Sequence, residues 1–256
     1  MTEQETVTAA LLVIGEEILS GRTQDENIAY IAGSLDRIGI ALSEVRIVPD
    51  GIAEISGAVN SLRQQFNYVL TTGGIGPTHD DVTTDAIASA LARPVVEDDP
   101  RAIEAMRECF PGKELGPGLR RMARLPEGAE LVPNPLSGAP GYMIDNVVVM
   151  AGVPLIMRTM MDNVVRRLDT GTRVSSRCIR VDAVEGEVAQ TLADLQAAHP
   201  KVRIGSYPFF EESGYGTHVV FRSKDVDLID NAARALRGAL ETSGTRYAEV
   251  SASAEG

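Results

Sequence analysis

Apolar and polar positions in the first half of the chain follow two alternating periods. Residues 9–14 are continuously apolar, a pattern typical of a strand that is buried on both faces. Ile28, Ile31 and Leu35 then recur at spacings of three and four before Gly39, which predicts an amphipathic helix that ends at a glycine. The same alternation predicts further strands at 40–48 and 68–72 and further helices at 51–62, 83–91 and from residue 100.

This alternation of strands and helices predicts an α/β domain with a mostly parallel sheet. Strands joined by helices run parallel, with right-handed crossovers that place helices on both faces of the sheet. Asp50 is predicted to cap the helix after the second strand, and Asp99 followed by Pro100 is predicted to open another helix. In such a sheet the loops that follow the strands meet at one edge, where these folds bind ligands.

A different pattern begins near Leu115, where proline and glycine become frequent. Short apolar stretches predict strands at 130–132, 141–144 and 147–150, with a hairpin turn at Asp145-Asn146. The apolar positions Ile156, Met160, Val164 and Leu168 predict the helix that closes this segment.

The last third of the chain predicts a small, separately folded α+β lobe. Its order is βαββα, with strands at 174–181, 202–209 and 216–222 and helices at 187–198 and 226–240. We therefore predict two domains, at 1–168 and 173–245, with a linker at 169–171. We expect a disordered tail at 246–256, which is small and polar.

The composition argues against several classes of function. The 256 residues contain 24 Lys and Arg against 36 Asp and Glu, a formal net charge of −12, whereas nucleic-acid binding needs a basic surface. Cys109 and Cys178 are too few for a disulfide framework or a zinc module built on cysteine pairs. The longest apolar run, 147–157, is too short to span a bilayer, and residues 1–8 lack a basic secretion signal. We expect a cytoplasmic protein with no membrane or nucleic-acid partner.

The strongest chemical signal is the segment 71–83, Thr-Thr-Gly-Gly-Ile-Gly-Pro-Thr-His-Asp-Asp-Val-Thr, which follows a predicted strand. Its glycines permit a left-handed backbone and close approach of a ligand, and the start of the next helix favours phosphate. The segment matches neither the Walker A nor the G-x-G-x-x-G pattern, and a tight structural turn is the alternative. The candidate phosphate- and ligand-binding residues are Thr72, Gly73, Gly74, Ile75, Gly76, Pro77, Thr78 and Thr83.

Carboxylates beside this segment predict a divalent metal. Asp80 and Asp81 would repel a phosphate unless a cation lay between them, and hard divalent metals prefer oxygen ligands. The alternative is that Asp81 or Thr83 only caps the following helix. Glu17 and Asn27 follow the first strand and would reach the same edge of the sheet, although Glu17 is equally consistent with a solvated surface position.

A third group of turns lies at 134–141, Asn-Pro-Leu-Ser-Gly-Ala-Pro-Gly, where a ligand could lie against the backbone. A purely structural turn explains this group equally well. Arg120, Arg121 and Arg124 form a basic patch that would suit a phosphate, but solvation at the surface is the favoured explanation. The candidate ligand-binding residues of the third group are Asn134, Ser137, Gly138, Ala139, Pro140 and Gly141.

The motifs of these three groups resemble those of the MoaB/Mog-type molybdopterin-binding domain family. They are I-G-x-E-I-L-x-G from Ile14, D-x-N from Asp25, G-G-I-G-P-T-x-D-D-x-T from Gly73, and the turn from Asn134. The resemblance is strongest to the N-terminal domain of the competence/damage-inducible protein CinA, a domain type that also heads many eukaryotic FAD synthases. It covers about residues 8–168, and the βαββα lobe is similar to the small domain that follows in CinA-type chains.

This resemblance implies a three-layer α/β fold of the MogA type that binds a nucleotide- or pterin-like phosphate ligand. In the CinA branch it implies hydrolysis of dinucleotide pyrophosphates such as ADP-ribose, with a divalent metal (Mg, Mn, Co or Ni) and in some members potassium. In the Mog branch it implies adenylyl transfer to molybdopterin. By motif position, Asp81 matches the acidic residue at the reacting phosphate, Asp80 an additional carboxylate, and Glu17 and Asn27 the first loop. The resemblance also implies a homo-oligomer, either a dimer or a trimer.

Three hypotheses about function follow. The first is a metal-dependent nucleotide pyrophosphatase, acting on ADP-ribose, NAD or FAD, with Asp81, Asp80 and Glu17 as catalytic residues and Asp80 and Asp81 as metal ligands. The second is a molybdopterin-binding or adenylyl-transferring protein of molybdenum cofactor biosynthesis. The third is a non-catalytic module that binds a nucleotide or a pterin. The Pro-Thr-x-Asp-Asp motif and the second lobe favour hydrolysis.

Overall fold

The computed structural model describes residues 6–112, 114–172, 174–211 and 214–250 of the chain. The chain divides into two compact units, Met1–Thr172 and Arg173–Gly256. The division follows directly on the segment 169–171, where the sequence predicts a linker.

The first unit is built on a six-stranded, mostly parallel sheet, as predicted. The strand order is β2-β1-β3-β8-β7-β6; β2, β1, β3 and β8 run parallel, and β7 pairs antiparallel with both β8 and β6. In chain order the elements are β1 (Thr8–Ile14), α1 (Glu16–Leu19), α2 (Asn27–Arg37), β2 (Ala41–Val48), α3 (Ile52–Leu62), β3 (Tyr68–Thr72), α4 (Thr83–Leu91), β4 (Val95–Val96), α5 (Pro100–Cys109), α6 (Pro117–Arg121), β5 (Leu125–Pro126), β6 (Glu130–Val132), β7 (Gly141–Ile144), β8 (Val147–Met150) and α7 (Pro154–Val164). The last helix ends at Val164 rather than at Leu168, the last apolar position of its predicted pattern.

Helices cover both faces of this sheet. Along β1, the even-numbered residues from Ala10 to Ile14 belong to a core cluster that also contains side chains of α3, α4 and α5. The odd-numbered residues from Ala9 to Val13 belong to a second cluster, with side chains of α2 and α7. Because neither face of β1 meets water, the strand is apolar at every position. The unit therefore has the three layers that the family resemblance implies.

Most elements lie where the sequence predicts them, and the exceptions are short. The pattern does not reveal α1, α6 or the antiparallel pair β4–β5, because two to five residues are too few to show a period. Asp99 accepts a hydrogen bond from the Arg101 N–H, as a capping residue should. The prediction for Asp50 is wrong, since Gly51 is the N-cap of α3. The Asp50 carboxylate instead accepts from the Glu16 N–H at 2.9 Å.

The second unit is a smaller α+β lobe. Its elements are β9 (Ser175–Val181), α8 (Glu185–Ala198), β10 (Arg203–Glu211), β11 (Gly214–Ser223), α9 (Val226–Ser243) and β12 (Tyr247–Val250). The strands form an antiparallel sheet of order β10-β11-β9-β12, and both helices share one core cluster with β9 and β11. The predicted βαββα order is confirmed.

The last strand of this lobe corrects the expected tail. The prediction of disorder from residue 246 is wrong for Tyr247–Val250, whose main chain pairs with β9. Residues 251–256 lie outside the described part of the chain. Among the helices of the described ranges, none combines the length and the apolar character needed to cross a bilayer.

Candidate functional site

Three loops meet at the carboxyl edge of the parallel strands, as expected for this kind of sheet. They follow β1, β3 and β8 and begin at Gly15, Gly73 and Ala151, which directly precedes Gly152. The Gly73 N–H donates to Met150 O at 3.1 Å, and a Cβ at Gly152 would lie 3.2 Å from Gly73 Cα. Asn27 Nδ2 donates to Gly152 O at 2.9 Å and so ties the start of α2 to the same place. The predicted loops after β1 and β3 are therefore both in contact with the loop after β8.

Gly73 and Gly74 adopt backbone conformations that other residues rarely adopt. Their φ angles are +103° and +66°. A Cβ would lie 2.1 Å from the Ile14 carbonyl oxygen at Gly73, and 2.1 Å from Thr83 Oγ1 at Gly74. The glycine loop, residues 73–77, therefore lies so close to the end of β1 and the start of α4 that only glycine fits at these two positions.

Thr83, the first residue of α4, holds the glycine loop in place. Its buried Oγ1 donates to Gly73 O at 2.9 Å, and its N–H donates to Gly74 O at 3.0 Å. In a trans peptide the N–H points opposite to the C=O, so the N–H groups of Gly74 and Ile75 face away from Thr83. Within the described ranges no acceptor binds the N–H groups of Gly74, Ile75 and Gly76, which leaves three consecutive donors for an anion. Thr83, predicted as a ligand-binding residue, instead uses both donors within the protein.

Asp81 holds the other end of the same loop. Its Oδ2 accepts from the Thr78 N–H at 2.8 Å and from Thr78 Oγ1 at 2.5 Å. Gly76 lies against this carboxylate, where a Cβ would be 2.7 Å from Oδ2. The second oxygen, Oδ1, has no hydrogen-bond donor among the described residues. The N-cap of α4 is Val82, without a side-chain bond, so the alternative in which Asp81 or Thr83 caps this helix is wrong.

The carboxylates of Asp80 and Asp81 fit a divalent metal that is held in part by a ligand. Asp80 is exposed, and the nearby Thr78 hydroxyl lowers the pKa of its carboxyl, so this group is ionised at neutral pH. Mg²⁺ is often bound by one or two carboxylates together with phosphate oxygens. The described part of the chain contains no group of three or more His, Cys, Asp or Glu side chains that could hold a metal without a ligand's help. Glu17 thus does not join the two aspartates in one metal-binding group.

A first cavity, beside the glycine loop, includes Thr84 and Tyr142, which no sequence motif indicated. It is lined by the glycine loop, Asp81 and Pro140, and by Thr84, Tyr142 and Arg121. Its volume of about 10 Å³ holds roughly one water molecule, so a ligand must lie over the cavity rather than inside it. The Tyr142 hydroxyl donates to Thr84 Oγ1 at 3.4 Å, and burial raises the pKa of Tyr142, which keeps the hydroxyl protonated.

Arg121 is the arginine of the basic patch whose charge is unpaired. Its Nη2 donates to the Asp81 carbonyl oxygen at 3.1 Å, while its Nε is buried without a partner. It forms no ion pair with a carboxylate in the described part of the chain. The other two arginines are neutralised at distances of 2.7–3.0 Å, in the pairs Arg120–Asp98, Arg124–Asp85 and Arg124–Glu97.

Glu17 and Asn27 lie in a second cavity, apart from Asp81. Thr72, Asp25 and Gly152 also line this cavity, which has a volume of about 90 Å³. Asp25 Oδ1 accepts from the first two N–H groups of α2, at 2.9 and 2.7 Å. The structure therefore places Thr72 and Glu17, predicted for the phosphate and metal site, in a cavity of their own.

The loop after β6 is mostly a structural turn. Asn134 Nδ2 donates to Ser137 Oγ at 2.6 Å and to Ala139 O at 2.9 Å, and its Oδ1 accepts from main-chain N–H groups of the loop. Gly138 packs against α5, where a Cβ would lie 2.8 Å from a main-chain atom. Pro140 lines the first cavity, whereas the turn and β7 use the other predicted residues, Asn134, Ser137, Gly138, Ala139 and Gly141.

Comparison with known proteins relates each of the two units to a described family. Residues 10–170 match the family described as a probable molybdopterin binding domain, and residues 173–249 match the middle domain of FAD synthase. A protein of Archaeoglobus fulgidus is 32% identical over 224 residues, which cover 88% of this chain and 94% of that protein. A CinA-like protein of Desulfosudis oleivorans is 36% identical over 217 residues, which cover 80% of this chain and 52% of the relative, so this chain spans about half of it. The crystal structure of the protein CinA from Thermoplasma acidophilum matches with a TM-score of 0.59 and 27% identity, over 64% of this chain and 99% of the other.

Proposed function

We propose that this chain, which belongs to the family of probable molybdopterin-binding domains, binds a nucleotide through its phosphates and hydrolyses the diphosphate bond. The candidate substrates are ADP-ribose, NAD and FAD, and the candidate cofactor is Mg²⁺, Mn²⁺, Co²⁺ or Ni²⁺. One observation carries the proposal: among the described residues, the N–H groups of Gly74, Ile75 and Gly76 have no acceptor, and the Oδ1 of the nearby Asp81 has no donor. Main-chain donors bind phosphate oxygens, and the carboxylate offers a metal ligand beside them.

The residues of the loop have separate tasks in this reaction. The free N–H groups bind the diphosphate, and they need no rearrangement because Thr83 already holds the loop carbonyls. Asp80 and Asp81 would hold the metal, and the two hydrogen bonds from Thr78 orient Asp81. When bound, a divalent metal supplies positive charge at the phosphates and makes water more acidic. Hydrolysis adds one water across the P–O–P bond, so ADP-ribose yields AMP and ribose 5-phosphate.

A panel of dinucleotides tests the proposed reaction. ADP-ribose, NAD and FAD are incubated with the full chain and each of the four metals, and the release of AMP is measured by chromatography. Release that needs both protein and metal supports the proposal. If AMP appears from none of the substrates with any of the metals, the chain is not a nucleotide pyrophosphatase of this kind.

Arg121 is expected to supply the positive charge that an acidic protein needs for a diphosphate. Its helix lies on the glycine loop, since a Cβ at Gly118 would be 3.5 Å from Pro77 Cβ. We predict that Arg121→Met weakens the binding of inorganic pyrophosphate by about 10- to 100-fold, the effect of losing hydrogen bonds to a charged group. Arg120→Met, one residue earlier and paired with Asp98, is the matched control.

Isothermal titration calorimetry with pyrophosphate measures both arginine variants. The control is expected to bind as the wild type does, because the Arg120 charge is already neutralised by Asp98. Equal affinities of the Arg121 and Arg120 variants would remove Arg121 from the phosphate site.

The family description favours a second candidate, a protein that binds molybdopterin or transfers an adenylyl group to it. This function predicts adenylated molybdopterin from ATP and molybdopterin, a product that a pyrophosphatase does not form. A non-catalytic module would instead bind its ligand without forming any product. A dimeric or trimeric state and a potassium requirement stay predictions, which light scattering and a potassium titration of activity measure.

A further inference from the structure

The second cavity is lined by two residues whose buried side-chain oxygens lack hydrogen-bond donors among the described residues. Asn27 and Thr72 line it, and they are 4% and 1% exposed. Asn27 Nδ2 is bound to Gly152 O, which fixes the amide and leaves Oδ1 unpartnered among the described residues. Thr72 Oγ1 has no partner there either. Leaving buried polar atoms unpaired is costly, so a ligand group that donates to them would relieve that cost.

Strand register places Thr72 and its neighbour Thr71 on opposite faces of the sheet. The partners of Thr72 on β1 and β8 belong to the core cluster with α2 and α7, the side on which this cavity lies. The partners of Thr71 belong to the cluster with α3, α4 and α5. Thr71 Oγ1 is also buried and unpartnered, so the two threonines differ mainly in the face that they occupy.

The charges around the cavity are unsuitable for a phosphate. Three carboxylates line it, those of Glu17, Asp25 and Glu26, and among the described residues no lysine or arginine does. An anion would be repelled here, whereas hydroxyl groups can donate to carboxylate, amide and hydroxyl oxygens. The chemistry of the lining therefore disfavours an anion and suits a group that donates hydrogen bonds.

The size of the cavity suits part of a ligand rather than a whole one. Its volume of about 90 Å³ is well below the ~300–1,000 Å³ of complete ligand pockets. It adjoins the glycine loop, because Thr72 directly precedes Gly73 and Gly152 lies against Gly73. We propose that this cavity binds the hydroxyl groups of a ribose whose diphosphate lies on the glycine loop, an inference that rests on the proposed function.

Two valine substitutions test this ribose subsite. Thr72→Val removes the hydroxyl with little change in shape, and Thr71→Val makes the same change on the opposite face. Binding of ADP-ribose and of inorganic pyrophosphate is measured by calorimetry, with Mg²⁺ and again with EDTA, and thermal melting confirms that each variant folds. We expect Thr72→Val to weaken ADP-ribose binding about tenfold, because one hydrogen bond is lost. Pyrophosphate binding should stay unchanged. Thr71→Val should change neither affinity.

Several outcomes would overturn the subsite. Equal losses in the two variants would show a general effect on the strand, and an equal loss of both probes would place phosphate in the cavity. A loss that appears only when K⁺ is present would assign the cavity to a cation. If the wild type binds neither probe, the proposed function fails and the subsite fails with it. If it binds ADP-ribose through Thr72 but releases no AMP, only the catalytic proposal fails.

Discussion

Replacing Asp81 by asparagine is expected to lower the turnover of ADP-ribose by about a thousandfold, the scale of losing a charge-stabilising group at a reacting phosphate. The amide keeps one oxygen to accept the two hydrogen bonds from Thr78, so the loop should retain its shape. It replaces the unpaired Oδ1 by a donor and removes the negative charge that a metal requires. Steady-state kinetics over a range of Mg²⁺ concentrations measure the effect.

The matched control for this experiment is Asp85→Asn, in the first turn of α4. Asp85 pairs with Arg124 at 2.7 Å and lies outside the glycine loop. Removing its charge should therefore lower the melting temperature and leave the turnover nearly unchanged. Melting curves of both variants separate damage to the fold from damage to the site. An Asp81→Asn protein that turns over within threefold of the wild type would show that this carboxylate takes no part in the reaction.

The second large effect is expected from Gly74→Ala. A Cβ there would lie 2.1 Å from Thr83 Oγ1, and the φ angle of +66° is unfavourable for alanine. Together the strained backbone and the overpacking should cost about 2–5 kcal/mol in the free energy of unfolding. Because the clash displaces Thr83 from the loop carbonyls, we also expect pyrophosphate binding to weaken by about a hundredfold or more.

Gly21→Ala separates the two contributions. Gly21 has a φ angle of +72°, close to that of Gly74, but a Cβ there would meet no atom within 4 Å. Its substitution should therefore cost only about 1–2 kcal/mol, the backbone term, and leave pyrophosphate binding unchanged. Urea unfolding and calorimetry compare the two variants. If Gly74→Ala is as stable as Gly21→Ala and still binds pyrophosphate, the contact with Thr83 does not shape the site.

Long periodic elements were predictable because their pattern is local. The buried strand β1 and the amphipathic helix α2 extend over enough residues to show their period, and their placement is confirmed. The strand β12 was not predictable, because its four residues become a strand only by pairing with β9, about 70 positions earlier in the chain. Asp50 has the chemistry of a capping residue, but its carboxylate accepts a hydrogen bond from the Glu16 N–H, in the loop after β1, instead of from the start of α3.

The candidate site divides in the same way. The glycines of the loop and the adjacent Asp80 and Asp81 were recognisable from sequence, since a tight turn beside a strand needs these residue types in a fixed order. The use of each side chain was not recognisable. Thr83 donates to loop carbonyls rather than to a ligand, and the amide of Asn134 is satisfied within its own turn.

The sequence by itself determined the α/β class, the βαββα lobe, the family and the loop that carries the proposed chemistry. These follow from periodicity and from motifs, which depend on residues close together in the chain. Only the tertiary structure decided that Arg121, unlike Arg120 and Arg124, keeps an unpaired charge beside Asp81. It also decided that Thr72 belongs to a cavity apart from the phosphate loop. The reason is physical: these partners lie 22 or more positions apart, and the packing of helices and strands decides which of them meet. The sequence near each arginine does not reveal that choice.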